Sequence, residues 1–213
     1  ALKAAGKTVI FVNCSGSAIA LTPETQSCDA IVQVWYAGQE GGTAIADVLF
    51  GDYNPCGKLP VTFYKDYKQL PDYEDYPMKE RTYRYSNDPL FAFGYGLSYT
   101  QFQIGDGTLE KQGDNYKMTI PVTNTGKRDG TEIVQLYIRD MSDKEGPIKS
   151  LRAFQRVDVK AGQTSQASLV LTPKSFEFFD TETNTMRTKP GNYQIFYGNS
   201  SRPEDLKTTT ITY

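Results

Sequence analysis

The side chains that could do chemistry in this sequence are carboxylates, arginines and tyrosines, because its 213 residues include no histidine. Histidine is the commonest general base and the commonest metal ligand in proteins. Its absence excludes catalysis by a Ser-His-Asp triad or a Cys-His pair. Candidate sites must therefore be built from acidic, amide, guanidinium and aromatic groups.

The sharpest candidate is Glu40, which lies beside Gln39 in a glycine-rich turn at residues 38–42. This turn joins a predicted buried strand to a predicted helix, and ligands of parallel sheets bind at such carboxyl ends of strands. Gln39 and Glu40 are therefore candidate substrate contacts. The alternative is that Glu40 lies in the first helical turn, where a carboxylate stabilises the helix dipole by about 0.3–1 kcal/mol. A nucleotide-binding loop is disfavoured, because the glycines do not follow the order G-x-G-x-x-G.

A second candidate surface is the aromatic segment at residues 64–85, which includes Arg81 and Tyr83. Aromatic faces stack on sugar rings and arginine donates to hydroxyl groups, so these two residues are candidate substrate contacts. The same residue types also pack domains together, and the proline-rich composition favours that interpretation. The segment has no clear period, which predicts a long ordered loop.

The three cysteines are predicted to be partly buried structural thiols, since each lies beside small or apolar residues. An odd number of cysteines leaves at least one thiol free. The separations of 14 residues from Cys14 to Cys28 and 28 residues from Cys28 to Cys56 match no zinc motif. We predict neither a metal site nor a cofactor.

Charge and hydropathy exclude several classes of partner. The net charge is -2 and the basic residues are scattered, so binding to nucleic acid or to an anionic membrane surface is disfavoured. No apolar run approaches the roughly 20 residues that a membrane helix needs. The first residues show no signal-peptide pattern.

The elements that position the glycine-rich turn are typical of an α/β domain. Residues 8–12 and 30–36 are short apolar runs that predict parallel strands, with a short helical crossover at residues 23–26. A helix is predicted over residues 41–50, ending at Gly51, and a third strand over residues 59–63. The first seven residues resemble the end of a helix near Gly6. Because so few strands cannot cover both sheet faces, we expect the chain to begin inside a domain. Either it is a fragment, which we favour, or an N-terminal partner chain completes the sheet.

The second half of the sequence predicts a β-sandwich. Alternating apolar residues at 116–122 are followed by a turn and by a second alternating run at 134–138. About seven short strands at this spacing predict an immunoglobulin-like fold of roughly 110 residues. The expected fold class is thus α/β plus all-β, with a partial parallel α/β sandwich over residues 1–66, an ordered linker over 67–100 and the β-sandwich over 101–213.

Three stretches carry a family resemblance: residues 36–63, residues 81–102 and the first hairpin of the sandwich with Asn124, Gly126 and Gly130. They are similar to the C-terminal part of family 3 glycoside hydrolases, including its fibronectin type III-like domain. Ala37 and Cys56 depart from that pattern, which more often shows proline and a small residue there. Residues 13–17 and 74–79 resemble the β-xylosidase and arabinosidase branch more than the β-glucosidase branch.

The resemblance implies a retaining exo-acting β-glycosidase, a β-xylosidase or β-glucosidase, that acts on plant-derived oligosaccharides through two carboxyl groups. In the family these groups lie before the strand at Thr8, so we expect no catalytic residue in this chain and no hydrolysis by it alone. The implied partners are an N-terminal barrel domain and the oligosaccharide, with a homodimer left open. The implied location is periplasmic or secreted. A free-standing carbohydrate-binding module and a purely structural module remain as alternatives.

Overall fold

The computed structural model describes residues 1–86 and 88–213. The first strand, β1 (Ile10–Asn13), pairs in parallel with β2 (Ala30–Gln33). Helix α1 (Thr22–Ser27) connects them, as a parallel pair requires. The predicted parallel strands and helical crossover are therefore confirmed, although both strands are shorter than the apolar runs that predicted them.

Helix α2 (Gly41–Phe50) follows the turn after β2 and has the bounds predicted from its spacing. It ends at Gly51, whose φ of +86° is a left-handed conformation that a residue without Cβ adopts at little cost. The glycine-rich turn consequently lies between the carboxyl end of β2 and the start of a helix.

The prediction of a third strand over residues 59–63 is wrong. This segment makes its backbone hydrogen bonds with residues 90–95, through Leu59 N to Tyr95 O at 2.9 Å and Phe63 N to Phe91 O at 2.9 Å. A single bridge between Phe63 and Phe91 is the only regular pairing there among the described residues. Pro60 has no N–H to donate, which prevents a continuous ladder.

The prediction of partly buried thiols is right for Cys28 and Cys56 and wrong for Cys14, which is exposed. Cys14 is the first residue after β1, beyond the last pair of the ladder, Asn13 with Gln33. Side chains alternate along a strand, and Asn13 takes the buried position at its end. All three thiols are free.

The linker contains a 3₁₀ turn (Tyr67–Gln69) and the one-turn helix α3 (Thr82–Tyr85). The other residues of this segment that the structure describes form loops and turns, as the absence of a period predicted. No helix of the described residues is long and apolar enough to cross a membrane.

The sandwich consists of two four-stranded antiparallel sheets and a short hairpin. One sheet has β3 and β4 paired with one edge of β5 and β8 with the other, and the second has the order β12-β11-β6-β7. Strands β9 and β10 form the hairpin. The strands are β3 (Phe102–Ile104), β4 (Thr108–Gln112), β5 (Asn115–Asn124), β6 (Gly130–Asp140), β7 (Ser150–Val159), β8 (Thr164–Leu171), β9 (Phe178–Asp180), β10 (Thr185–Arg187), β11 (Asn192–Gly198) and β12 (Leu206–Thr212).

The core of the sandwich comes from alternate residues of the two sheets. Met118 and Ile120 of β5 face Leu136 and Ile138 of β6, and all four side chains are fully buried. This alternation is the one that the sequence showed, so the predicted sandwich is confirmed. Strands β3, β4, β10 and β12 were not predicted, because they are short or, like β12, rich in threonine with little apolar alternation.

The α/β part has far fewer buried apolar residues. Before residue 100 they are Leu21, Cys56, Phe63 and Ala92 among the described residues. Ile10 of β1 is 46% exposed and Phe50 of α2 is 85% exposed. The described residues therefore leave apolar side chains of this part uncovered.

A buried ion pair joins the two parts of the chain. Lys58 Nζ lies 2.8 Å from Glu132 Oε1, with the two side chains 11% and 6% exposed. The same ammonium group donates to Gly96 O at 2.9 Å, and Asn199 Nδ2 donates to Glu132 Oε2 at 3.1 Å. Both charges are thus hydrogen bonded on several sides, as buried charges must be.

Lys58→Met is expected to lower the free energy of unfolding by about 3 kcal/mol, because it leaves the Glu132 carboxylate buried without its counter-charge. Urea denaturation of the chain measures this change. Lys207→Met is the matched control, since Lys207 pairs with Asp106 at the surface, and it should change little. Equal effects of the two substitutions would contradict a structural role for the buried pair.

Because Lys149 is buried in the folded chain, the free energy of unfolding should depend on pH. Burial lowers the pKa of Lys149 to about 8 from its ordinary 10.5, so the folded chain releases this proton at lower pH than the unfolded chain. The free energy of unfolding should therefore rise as the pH increases above about 8. Burial raises the pKa of Tyr137 above its ordinary 10.0 and acts in the opposite sense, so the series stays below that pH.

Lys149→Met should flatten this rise, because methionine does not titrate. Urea denaturation of both forms at several pH values provides the comparison. If the free energy of unfolding of the unchanged chain did not vary with pH, or rose equally in the variant, the rise could not come from buried Lys149.

Candidate functional site

Polar side chains meet at the carboxyl ends of β1 and β2. Asn13 and Gln33 are paired in register, and Asn13 Nδ2 donates to Gln33 Oε1 at 2.5 Å. Asn13 Nδ2 also lies 3.0 Å from Ser15 Oγ, and Gln33 Nε2 lies 3.3 Å from the same hydroxyl. Asn13 is buried. This amide and hydroxyl cluster can donate and accept hydrogen bonds at the edge where parallel sheets bind ligands.

The backbone after β2 turns sharply at Trp35. Its φ is +56°, which is uncommon for a bulky residue and costs free energy. The Trp35 ring packs edge-on against Phe63 with the ring centroids 6.1 Å apart, which holds it in this conformation. Tyr36, the next residue, is 80% exposed. An indole and an exposed phenol therefore flank the carboxyl end of the sheet.

Gln39 and Glu40 are both exposed and lie between Tyr36 and α2. Glu40 occupies the N-cap position, where its backbone oxygen accepts a hydrogen bond from Ala44 N at 3.0 Å. Its carboxylate accepts a hydrogen bond from Thr43 Oγ1 at 3.2 Å and none from a backbone N–H of the helix. Glu40 therefore precedes the first helical turn, and its carboxylate keeps capacity to accept further hydrogen bonds.

Arg81 binds the backbone of the loop that precedes it. Its guanidinium donates to Asp75 O at 2.7 Å, to Asp72 O at 3.1 Å and to Pro77 O at 3.3 Å. The loop between these carbonyls carries two exposed rings, Tyr73 at 90% and Tyr76 at 82% exposure. Arg81 thus holds the loop that presents these rings to the surroundings.

Tyr83 packs the linker against the sandwich. Its ring stacks on Phe93 with the centroids 4.3 Å apart and meets the edge of Tyr137 of β6 at 5.7 Å. Its hydroxyl accepts a hydrogen bond from Leu151 N at 3.2 Å. These contacts are those of a residue that joins two domains.

The four predicted contacts therefore form two groups. No hydrogen bond or ion pair within residues 1–86 and 88–213 joins Gln39 or Glu40 to Arg81 or Tyr83. Their role in substrate binding stays a prediction. The cluster of Asn13, Ser15 and Gln33 was missed. The signal for it was a polar residue directly after the first apolar run, Asn13, and one inside the second, Gln33.

The part of the chain that the structure describes has no group of three or more histidine, cysteine or carboxylate side chains that could hold a metal ion. The polar cluster after β1 and β2 consists of amides and a hydroxyl. Its chemistry is hydrogen bonding and not acid-base catalysis.

Two family models match the chain in sequence order. Residues 1–99 match the C-terminal domain of glycosyl hydrolase family 3, and residues 132–201 match a fibronectin type III-like domain. The first match contains β1, β2, α2 and the linker, and the second lies inside the β-sandwich.

The chain is 68% identical to the xylan 1,4-beta-xylosidase of Xylanibacter ruminicola, over 100% of this chain and 25% of that protein. It is 39% identical to the periplasmic beta-glucosidase of Salmonella typhimurium, over 93% of this chain and 28% of that protein. The structure of beta-glucosidase 3B from Thermotoga neapolitana superposes with a TM-score of 0.85 and 31% identity, over 99% of this chain and 32% of that one.

The chain thus spans about a quarter to a third of the length of these relatives. In each of them this region is part of a larger polypeptide. The two family models match in the order in which the two folds occur along the chain. The first model covers the parallel α/β part, and the second lies in the antiparallel sandwich. The chain belongs to glycoside hydrolase family 3, of which it carries the C-terminal domain and the fibronectin type III-like domain.

Proposed function

We propose that this chain is the C-terminal part of a retaining exo-acting β-glycosidase that releases single sugars from plant-derived oligosaccharides. The observation that carries the proposal is the 68% identity over the whole chain to a protein named xylan 1,4-beta-xylosidase. The chain supplies no catalytic nucleophile and no catalytic acid/base. In this proposal its first half completes the α/β domain that helps to form the sugar pocket. Its second half, the sandwich, packs against that domain and stabilises it.

The uncovered apolar surface of the α/β part supports this assignment. A parallel sheet is stable only when helices and further strands cover both faces. In the proposal, the rest of the polypeptide provides that cover, and its barrel domain carries the reaction. The proposed location is the periplasm or the cell exterior, supported by the relative named as a periplasmic enzyme. Homodimer formation stays a prediction, which sedimentation would test.

Xylose is the preferred sugar in this proposal. The relative named as a xylosidase is 68% identical, and the one named as a periplasmic glucosidase is 39% identical. We further propose that Gln39 and Glu40 contact the sugar, next to the amide cluster of Asn13 and Gln33. Arg81 contributes through the loop that it holds, and Tyr83 through the junction that it packs.

The full-length protein should hydrolyse 4-nitrophenyl β-D-xyloside faster than the matching glucoside, and the chain of 213 residues alone should hydrolyse neither. Release of nitrophenol, followed by its absorbance, measures both. Turnover by the isolated chain at the rate of the full-length protein would refute the placement of the catalytic carboxyl groups. Faster release from the glucoside would refute the preference for xylose.

Glu40→Gln tests whether this carboxylate contacts substrate. A carboxylate that accepts a sugar hydroxyl should lose part of its charge-assisted hydrogen bond, which raises KM about tenfold while the melting temperature hardly changes. A role confined to the helix start would instead lower the melting temperature and leave KM unchanged. Steady-state kinetics and thermal unfolding of the full-length protein distinguish the two.

Arg81→Ala provides a contrasting variant, because Arg81 binds only backbone carbonyls in the described structure. It should lower the melting temperature, since three hydrogen bonds of the loop are lost. Unchanged KM in this variant would remove Arg81 from the substrate contacts. Raised KM would support the role of the loop rings Tyr73 and Tyr76 at the sugar pocket.

A further inference from the structure

A cleft of about 750 Å³ lies where the linker meets the sandwich. It is bounded by α3, by the β6–β7 loop with the start of β7, and by the β9–β10 hairpin. Two hydrogen bonds hold its walls together: Ile148 N donates to Arg84 O at 2.8 Å, and Leu151 N donates to Tyr83 Oη at 3.2 Å. The cleft is therefore a built feature of the fold.

Unpartnered polar atoms concentrate in the wall of this cleft. Across the described residues, five buried side-chain N or O atoms lack a hydrogen-bond partner, and three of them belong to residues that line it. The three atoms are Arg84 Nε, Ser150 Oγ and Arg152 Nε. Such atoms are rare and each costs about 1–3 kcal/mol. All three can donate a hydrogen bond, so the cleft suits a ligand that accepts them.

The charges in the cleft also favour an anion. Burial, and after it the positive charge of the neighbouring Arg84, lowers the pKa of Arg152, so the two guanidinium groups repel each other, while the Glu177 carboxylate raises that pKa. The Asp143 carboxylate is engaged by Glu145 N and Gly146 N at 3.2 and 2.8 Å.

Among the described residues neither Arg84 nor Arg152 forms a salt bridge, and the Glu177 carboxylate acts on Arg152 only by raising its pKa. Lys189 is paired with Asp180 at 3.0 Å. Glu145 is exposed to solvent. Arg152 has a polar contact with Glu177, but through the backbone oxygen of that residue, at 2.6 Å.

The wall beside the arginines is aromatic. Phe179 is 54% exposed, and Phe178 lies under Arg152 with the guanidinium carbon 4.5 Å from the ring centroid. Tyr85 also lines the cleft. Exposed aromatic rings stack on the apolar faces of sugars, whereas a small inorganic anion has no apolar face to pack against them.

We propose that this cleft is a non-catalytic binding site for a carboxylate-bearing sugar of the hexuronate class. Arg84 and Arg152 bind the carboxylate, the Ser150 hydroxyl donates to it or to the neighbouring ring oxygen, and Phe179 packs against the sugar face. Paired arginines are suited to carboxylates because each guanidinium can donate two parallel hydrogen bonds. The site does not depend on which glycosidic bond the protein cleaves.

The test is isothermal titration of the full-length protein with methyl β-D-glucuronide, in the presence of excess methyl β-D-xyloside to occupy the sugar pocket. Methyl β-D-glucoside is the neutral control, and inorganic phosphate is the control for a simple anion site. The glucuronide should bind at least about tenfold more tightly than either, since only it has both a carboxylate and a sugar ring.

Arg84→Gln and Arg152→Gln should each weaken glucuronide binding at least about tenfold. Arg139→Gln is the matched control, because Arg139 also has a buried unpartnered Nε but does not line the cleft. Its binding should equal that of the unchanged protein. Thermal unfolding of all three variants identifies any that fail to fold.

Three results would overturn the proposal. They are no glucuronide binding to the folded protein, equal affinity for phosphate and glucuronide, and equal weakening by Arg139→Gln. Because titration measures binding and not bond cleavage, an absence of glycosidase activity would leave this result interpretable. The proposed function and the proposed site can therefore fail separately.

Discussion

The ion pair between Lys58 and Glu132 is the interaction on which the arrangement of the two parts depends. Neither charge is stable in a dry interior without the other. Lys58 also donates to Gly96 O of the linker, and Glu132 accepts from Asn199 Nδ2 of the sandwich. Close backbone approach adds to it, since a Cβ at Gly94 would lie 1.9 Å from Gln135 Oε1. The ion pair and this close approach both hold the linker against the sandwich.

Burial divides the chain into a part that is complete in its packing and a part that is not. The sandwich fills its own core with residues such as Ile120 and Leu136, whereas Ile10 and Phe50 of the α/β part stay exposed. A sandwich of this length can stand on its own core, but a two-stranded parallel sheet cannot. The predicted contacts Gln39 and Glu40 belong to the part whose packing is incomplete.

The two surfaces with polar chemistry differ in kind. The cluster after β1 and β2 consists of amides and a hydroxyl, which suit neutral sugar hydroxyls. The cleft beside α3 has two arginines and unpartnered donors, which suits an anion. Tyr83 links the linker to the sandwich through Tyr137 and Leu151, and its neighbour Arg84 lines that cleft. Helix α3 therefore contributes Tyr83 to the contact between linker and sandwich and Arg84 to the cleft.

The sequence by itself determined the local elements with a strong pattern: the parallel strands, α2 with its end at Gly51, and the alternating strands of the sandwich. It also placed Gln39 and Glu40 at a strand-to-helix turn. Only the tertiary structure decided that residues 59–63 bind residues 90–95, that Arg81 binds its own loop, and that Arg84 and Arg152 share a cleft. Periodicity reports which face of an element is buried, but a contact between residues 68 positions apart, such as Tyr83 with Leu151, depends on packing that no local pattern encodes.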